Sequence, residues 1–170
     1  MLRAAVGAPE TAASMPAGVV FALALLVVAI AAGWRPGRPS VAAAGLGVVG
    51  GGVLAGAWLL SHGSPGVQVA PLNAGLALWT PIVALVAVAE EVVFRGALFD
   101  AVRAGFGDGA ALLVTTLLFA VMHAPLYGIG SLPLDLAVGL LLGGLRIVSG
   151  GALAPAVAHV IADLAGGWLL

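Results

Sequence analysis

Polar residues are so sparse along this chain that the first pattern to emerge is a succession of apolar runs: 17–34, 41–60, 74–91, 110–127, 132–148 and 152–170. Crossing the hydrocarbon of a bilayer takes about 20 apolar residues in a helix, with about 17–25 tolerated. Backbone hydrogen bonds can be satisfied in lipid only within helices or a closed barrel. These runs are too long and too continuous for the alternating strands of a barrel. The pattern therefore predicts an all-α fold, a polytopic transmembrane bundle of about six spans. The separators are rich in turn formers: Arg35, Pro36, Gly37, Arg38 and Pro39; His62, Gly63, Ser64, Pro65 and Gly66; and Ser149, Gly150 and Gly151.

Residues 92–107 break the pattern. Phe94, Leu98, Val102 and Phe106 recur at helical spacing, while Arg95, Asp100 and Arg103 interrupt the run. This reads as an amphipathic continuation of the third helix, lying at or near the membrane interface. Inside the spans, the pairs Gly47/Gly51, Gly52/Gly56 and Gly139/Gly143 have the small-xxx-small spacing that lets helices approach closely in lipid.

Composition sharpens the membrane reading. Of 170 residues, 62% are hydrophobic and 8% charged, whereas a soluble domain carries about 25% charged residues. Too little polar surface exists to solvate a globule. A net charge of -1 argues against a nucleic-acid partner, which requires a basic face. Cysteine is absent, which removes disulfides and thiolate metal ligands. The run at 17–34 is longer than a signal-peptide core and is followed by further spans, so it is read as a first membrane helix. Arg35, Arg38, Arg103 and Arg146 fall at alternate connections, which predicts that those connections are cytoplasmic and both termini external; Arg3 points weakly the other way.

Against this background a few polar residues stand out. Glu90 and Glu91 end the third run, with Arg95 after them; His123 lies in the fourth, and His159 and Asp163 in the sixth. A charged side chain at the centre of a membrane helix costs about 2.5–3.5 kcal/mol on insertion scales. An apolar chain carries several such groups only if they meet one another or do chemistry. Spacing permits a meeting. Glu91 and Arg95, Phe119 and His123, and His159 and Asp163 are each four apart and share a helix face, while Glu90 is turned about 100° from Glu91. A Glu beside two His side chains can activate water as a general base, and His123 and His159 with a Glu are also candidate zinc ligands. His62, in its Gly/Ser/Pro turn, reads as a solvated loop residue. One feature fits poorly: if the fourth helix starts near Ala110, His123 lies about 20 Å deep and His159 only about 10 Å.

At these residues the chain resembles the CPBP intramembrane proteases, also called the CAAX-processing or Abi family. The family's three motifs are Glu-Glu-x-x-x-Arg, Phe-x-x-x-His and His-x-x-x-Asn or Asp. They read here as Glu90-Glu91-Val92-Val93-Phe94-Arg95, Phe119-Ala120-Val121-Met122-His123 and His159-Val160-Ile161-Ala162-Asp163. Residues 150–155 are similar to the small-residue turn before the family's last motif helix. The resemblance divides the chain into N-terminal membrane helices at 1–75 and a protease core at 76–170. It implies an intramembrane endopeptidase acting on a membrane-associated protein or peptide near the bilayer surface. By that resemblance Glu90 is the general base, His123 and His159 hold the water, and Asp163 takes the position of an oxyanion stabiliser, a role an Asp fills only when protonated. Glu91 and Arg95 form a supporting ion pair, with Phe119 beside them. Metal use is open between a zinc enzyme held by His123 and His159 and a glutamate protease. The family commonly has more helices before the first motif than the two found here, and a prokaryotic plasma membrane is the expected location.

Two other function classes use the same polar centre: a non-proteolytic scaffold such as a bacteriocin-immunity protein, and a small proton-coupled transporter. A transporter predicts two similar halves with broken helices, and no such symmetry is visible. Convergence of Glu90, His123 and His159 would favour the enzyme.

Overall fold

The protein is described by a computed structural model covering residues 11–61 and 73–169; His62, Arg3 and the connection at 62–72 lie outside the described residues. Among these the chain is helical, without a strand. Helices α1 (Thr11–Ala31), α2 (Val41–Ser61) and α3 (Ala74–Glu91) are followed by a π-helical segment (Val92–Leu98), α4 (Phe99–Tyr127), a 3-10 turn (Ile129–Ser131), α5 (Leu132–Ser149) and α6 (Leu153–Trp168).

Local chemistry sets several of these boundaries. Asn73 caps α3 by accepting a hydrogen bond from Leu76 N–H at 2.9 Å, which satisfies one of the free donors of the first turn. The α4 helix ends at Gly128 (φ +83°), and α5 ends at Gly150, left-handed at φ +72°. Gly150 N–H closes onto the Arg146 carbonyl at 3.1 Å. Glycine adopts these dihedrals without the Cβ penalty. The first helix starts and stops earlier than its apolar run, because Pro16 is accommodated within it and Gly33 turns the chain at φ +83°.

The segment at 92–107 continues α3, as its spacing predicts, and the structure adds where that continuation turns back. Backbone dihedrals stay helical from α3 through the π segment, and the helix breaks at Gly107 (φ +80°, ψ 176°). Across that break the contacts are those of an antiparallel hairpin. Arg103 pairs with Asp108 at 2.7 Å, the Phe94 ring meets Phe119 at 5.8 Å, and Glu90 faces His123. The last two contacts pair residues nearly equidistant from Gly107. The segment is thus the outgoing arm of a hairpin that continues α3. This also resolves the mismatch in depth: His123 returns to the level of Glu90 because the two arms are of nearly equal length.

The other helices alternate in direction. Gly139 and Gly143 of α5 oppose Thr116 and Leu112 of α4 in antiparallel register about Gly128. Trp79 of α3 meets Gly167 of α6, and Glu91 meets His159, so α3 and α6 are antiparallel. Gly47 and Gly51 of α2 face Val157 and Ile161 of α6, a parallel pairing. A Cβ on Gly47 would stand 2.6 Å from the Ala154 carbonyl oxygen, and one on Gly51 2.6 Å from Ile161 Cβ. These glycines are close-packing positions. Gly52 and Gly56 are not, since a Cβ on either would meet nothing within 4 Å; they lie on the other side of α2.

Burial is inverted relative to a water-soluble protein. Glu90, Glu91, Arg95, Thr115, Thr116, His123, Asp135, Arg146 and His159 are buried, while Val20, Val27, Val49, Leu60, Leu117, Val121, Leu134 and Val148 are exposed. Polar groups inside and bulky aliphatics outside is the arrangement that suits lipid as solvent. By length and apolar composition alone, two of the described helices are able to cross a membrane, Val41–Leu60 and Ile129–Ser149, with Met15–Ala31 and Leu153–Trp168 as shorter apolar helices.

Candidate active site

The end of α3 supplies two adjacent carboxylates that face different neighbours, as their rotation about the helix dictates. Glu91 is fully buried. Its Oε1 accepts from Arg95 Nη1 at 2.9 Å and from His159 Nδ1 at 3.0 Å. Glu90 turns instead toward the two imidazoles, its Oε2 standing 3.9 Å from His123 Nε2 and 4.0 Å from His159 Nε2. Asp163, one turn after His159 on α6, places Oδ1 3.6 Å from the same Nε2 and is only partly buried. The structure therefore brings Glu90, Glu91, Arg95, Phe119, His123, His159 and Asp163 together from four segments of the bundle.

The second nitrogen of each imidazole fixes its orientation. His123 Nδ1 lies 2.8 Å from the Phe119 carbonyl oxygen, which can only accept, so Nδ1 donates. His159 Nδ1 likewise donates to the Glu91 carboxylate. When neutral, both rings then present an Nε2 lone pair toward Glu90. Separations of 3.9 and 4.0 Å are too long for a direct hydrogen bond.

Arg95 is wholly buried, and its Nε has no hydrogen-bond partner among the described residues. Besides Glu91 it reaches the Gly139 carbonyl through Nη2 at 3.2 Å, and its guanidinium lies 4.5 Å from the centre of the Phe119 ring, within cation–π range. Phe119 contacts both histidines, with ring centroids 4.3 Å from His123 and 5.6 Å from His159. One aromatic side chain thus supports the arginine on one side and both imidazoles on the other.

Three neighbours of the site were not singled out in the sequence. Tyr127 stacks on His123, with centroids 5.7 Å apart and planes 13° from parallel; its position four residues after His123 was the available signal. Asp135, buried at the start of α5, accepts from Ser131 Oγ at 2.7 Å. Arg146, expected to be a charge at a cytoplasmic connection, is buried in the bundle and turned toward the π segment.

The donor set was tested for zinc. Two imidazoles with inward Nε2 atoms, each anchored through Nδ1, have the chemistry of metal ligands. The spacing does not match. A tetrahedral zinc with bonds of about 2.0–2.1 Å sets ligand atoms about 3.3 Å apart, less than the 3.9 and 4.0 Å separating Glu90 from the histidines. Among the described residues no three His, Asp or Glu side chains are grouped closely enough to hold a metal. No step below passes through one.

A comparison with protein families matches residues 71–165, more than half of the chain, to the family described as type II CAAX prenyl endopeptidase Rce1-like. No curated protein and no solved structure gave a match.

Proposed function

The chain belongs to the type II CAAX prenyl endopeptidase Rce1-like family, a membrane-embedded protease family, and on that premise we propose that it is an intramembrane endopeptidase cleaving a membrane-associated protein or peptide. The observation that carries the reading is the convergence of Glu90 Oε2 with the Nε2 atoms of His123 and His159, at 3.9 and 4.0 Å, inside a bundle that is otherwise apolar.

In this reading a water sits between Glu90, His123 and His159. Glu90 takes one of its protons as the oxygen attacks the scissile carbonyl carbon, and later returns that proton to the departing amine nitrogen as the C–N bond breaks. The imidazoles hold and orient the water, so that attack starts from a fixed geometry. The tetrahedral oxyanion lies on the Asp163 side of His159, where either group can donate a hydrogen bond in its protonated form. Glu91 and Arg95 do not touch the reacting atoms; they fix His159 through its Nδ1.

We propose further that all six helices cross the membrane, a reading supported by their alternating directions and outward aliphatic faces. The helical backbone at 74–106 is about 50 Å long at 1.5 Å per residue, longer than the hydrocarbon core of about 30 Å. Its far end, with the exposed pair Arg103 and Asp108, then protrudes into water, and Glu90 lies near the bilayer edge. A substrate anchored by a lipid chain presents its peptide at that depth.

The test is purified protein in detergent or proteoliposomes, assayed with a prenylated Cys-a-a-X peptide and with a set of other membrane-anchored peptides. Glu90→Gln keeps size and hydrogen bonding and removes the base, so cleavage should fall by about 10²–10⁴-fold with thermal melting unchanged. Chelation with phenanthroline should leave the rate intact; loss with recovery on adding zinc would establish a metal enzyme. Equal rates of cleavage by the parent and Glu90→Gln would overturn the protease reading in favour of a binding scaffold.

A further inference from the structure

Arg146 is a second buried arginine that the chemistry above leaves unused. It lies in the last turn of α5 and is 5% exposed. Its guanidinium makes two bonds in different directions. Nε donates to the Arg95 carbonyl oxygen at 2.6 Å, and Nη2 donates to Asp100 Oδ1 at 2.5 Å. Its Cζ also lies 5.1 Å from the centre of the Phe99 ring.

The carbonyl it reaches is available for a structural reason. Where the helix turns from π back to α, Phe99 N–H bonds to the carbonyls of Phe94 and Gly96 and passes over that of Arg95. The Arg95 carbonyl, not bonded by Phe99 N–H, its usual α-helical donor, accepts from Arg146 Nε. The exchange with α5 is reciprocal. Arg95 sends its side chain to the Gly139 carbonyl of α5, and α5 sends Arg146 back to the Arg95 carbonyl. Arg95 is thereby held at both its side chain and its backbone, and Arg95 in turn holds Glu91, which holds His159. Trp34 also covers the π segment: a Cβ on Gly96 would run into its indole.

We propose that Arg146 is a positioning residue for the Glu90–His123–His159 centre, fixing the register of the π turn through the Arg95 carbonyl, with Asp100 aiming its guanidinium. π turns inside α-helices are frequent at functional sites, and this one carries the residues that orient His159. Arg146 acts through Arg95 and Glu91 and touches no substrate.

The kinetic part of the test rests on the protease reading, and the spectroscopic part does not. In Arg146→Lys the charge remains and either the carbonyl or Asp100 can be bonded, but not both in the present geometry. Thermal melting of the purified variant should stay near that of the parent. The catalytic rate should fall on the order of tenfold to a hundredfold, the cost of a small misplacement at a reacting centre, while KM holds steady. Asp100→Asn, at an exposed position, should fold normally and give a smaller loss of the same kind. Independently of any substrate, nitrogen-15 labelling of the three histidines gives a resonance for His159 Nδ1, assigned by loss in His159→Gln. That resonance should shift in Arg146→Lys as the bond to Glu91 is disturbed, and stay in place in the control Gly52→Ala.

An unmoved His159 resonance in a well-folded Arg146→Lys would overturn the proposal, and so would a rate that follows only the folded fraction. Absence of Glu90-dependent cleavage in the parent would instead overturn the protease reading, leaving the resonance to decide the role of Arg146.

Discussion

Helices α2 and α3 both press against α6, and they do so with opposite chemistry. The α2 contact is made by removing side chains: Gly47 and Gly51 let the backbone sit against Ala154, Val157, Ala158 and Ile161. No charged residue lies anywhere on α2. The α3 contact ends in buried charge, with Glu91 held between Arg95 and His159. In lipid the hydrophobic effect does not pull helices together, so close packing and interhelical polar contacts remain. The first gives a close contact that leaves no room for a Cβ at Gly47 or Gly51. The second gives direction, because a carboxylate with fixed donors admits one arrangement of its neighbours. The reaction proposed above needs direction, and its residues lie on the second kind of contact.

The sharpest way to break this comparison is to remove the cation. Arg95→Ala leaves Glu91 buried without its partner, and breaking a buried pair from one side costs about 3–5 kcal/mol. The expected outcome is a large loss of folded protein, read by size-exclusion yield and thermal melting in detergent, with cleavage lost alongside. Normal melting with cleavage abolished would move Arg95 from the support of His159 into the chemistry itself.

Overfilling the glycine contact should cost less. In Gly51→Leu the added Cβ meets Ile161 at 2.6 Å and the Ala158 carbonyl oxygen at 3.1 Å, and inserting atoms into a packed interface costs about 1–3 kcal/mol. Melting should drop, by less than in Arg95→Ala. The same change one residue on is the control. Gly52 faces open space, so Gly52→Leu should stay within about 0.5 kcal/mol of the parent. Equal losses at the two positions would mean that another protein surface covers the outer face of α2.

The mildest perturbation tests orientation in the membrane. The native chain has no cysteine, so Gly37→Cys and Ser64→Cys are unique labelling sites. With the arginine-bearing connection at 35–38 inside, an impermeant reagent applied to intact cells should label position 64 and spare position 37. The reverse pattern would invert the bundle without altering its packing.

Much of the site was legible because its signals are local. Two residues four apart on a helix share a face whatever the fold, so the facing of Glu91 toward Arg95 and of His159 toward Asp163 follows from helical geometry. Buried charge in an apolar chain is conspicuous for its cost. Arg146 was legible only as a cation near a helix end, a topological signal, and its partners, Arg95 and Asp100, show that it is also internal. Gly52/Gly56 has the spacing of Gly47/Gly51, and spacing does not say which side of α2 meets α6.

The sequence by itself determined that the chain is helical, that its helices are apolar enough for lipid, and which few polar residues must find one another. These follow from backbone hydrogen bonding and the cost of desolvating charge, which act residue by residue. Tertiary structure alone decided that this continuation of α3 folds back into a hairpin about Gly107, which brings His123 level with Glu90. It also decided that the Arg95 carbonyl meets Arg146, and that both Nε2 atoms face one carboxylate. The reason is physical: periodicity fixes what shares a face within one helix, whereas the depth and rotation of one helix against another are set by packing between residues far apart in the chain.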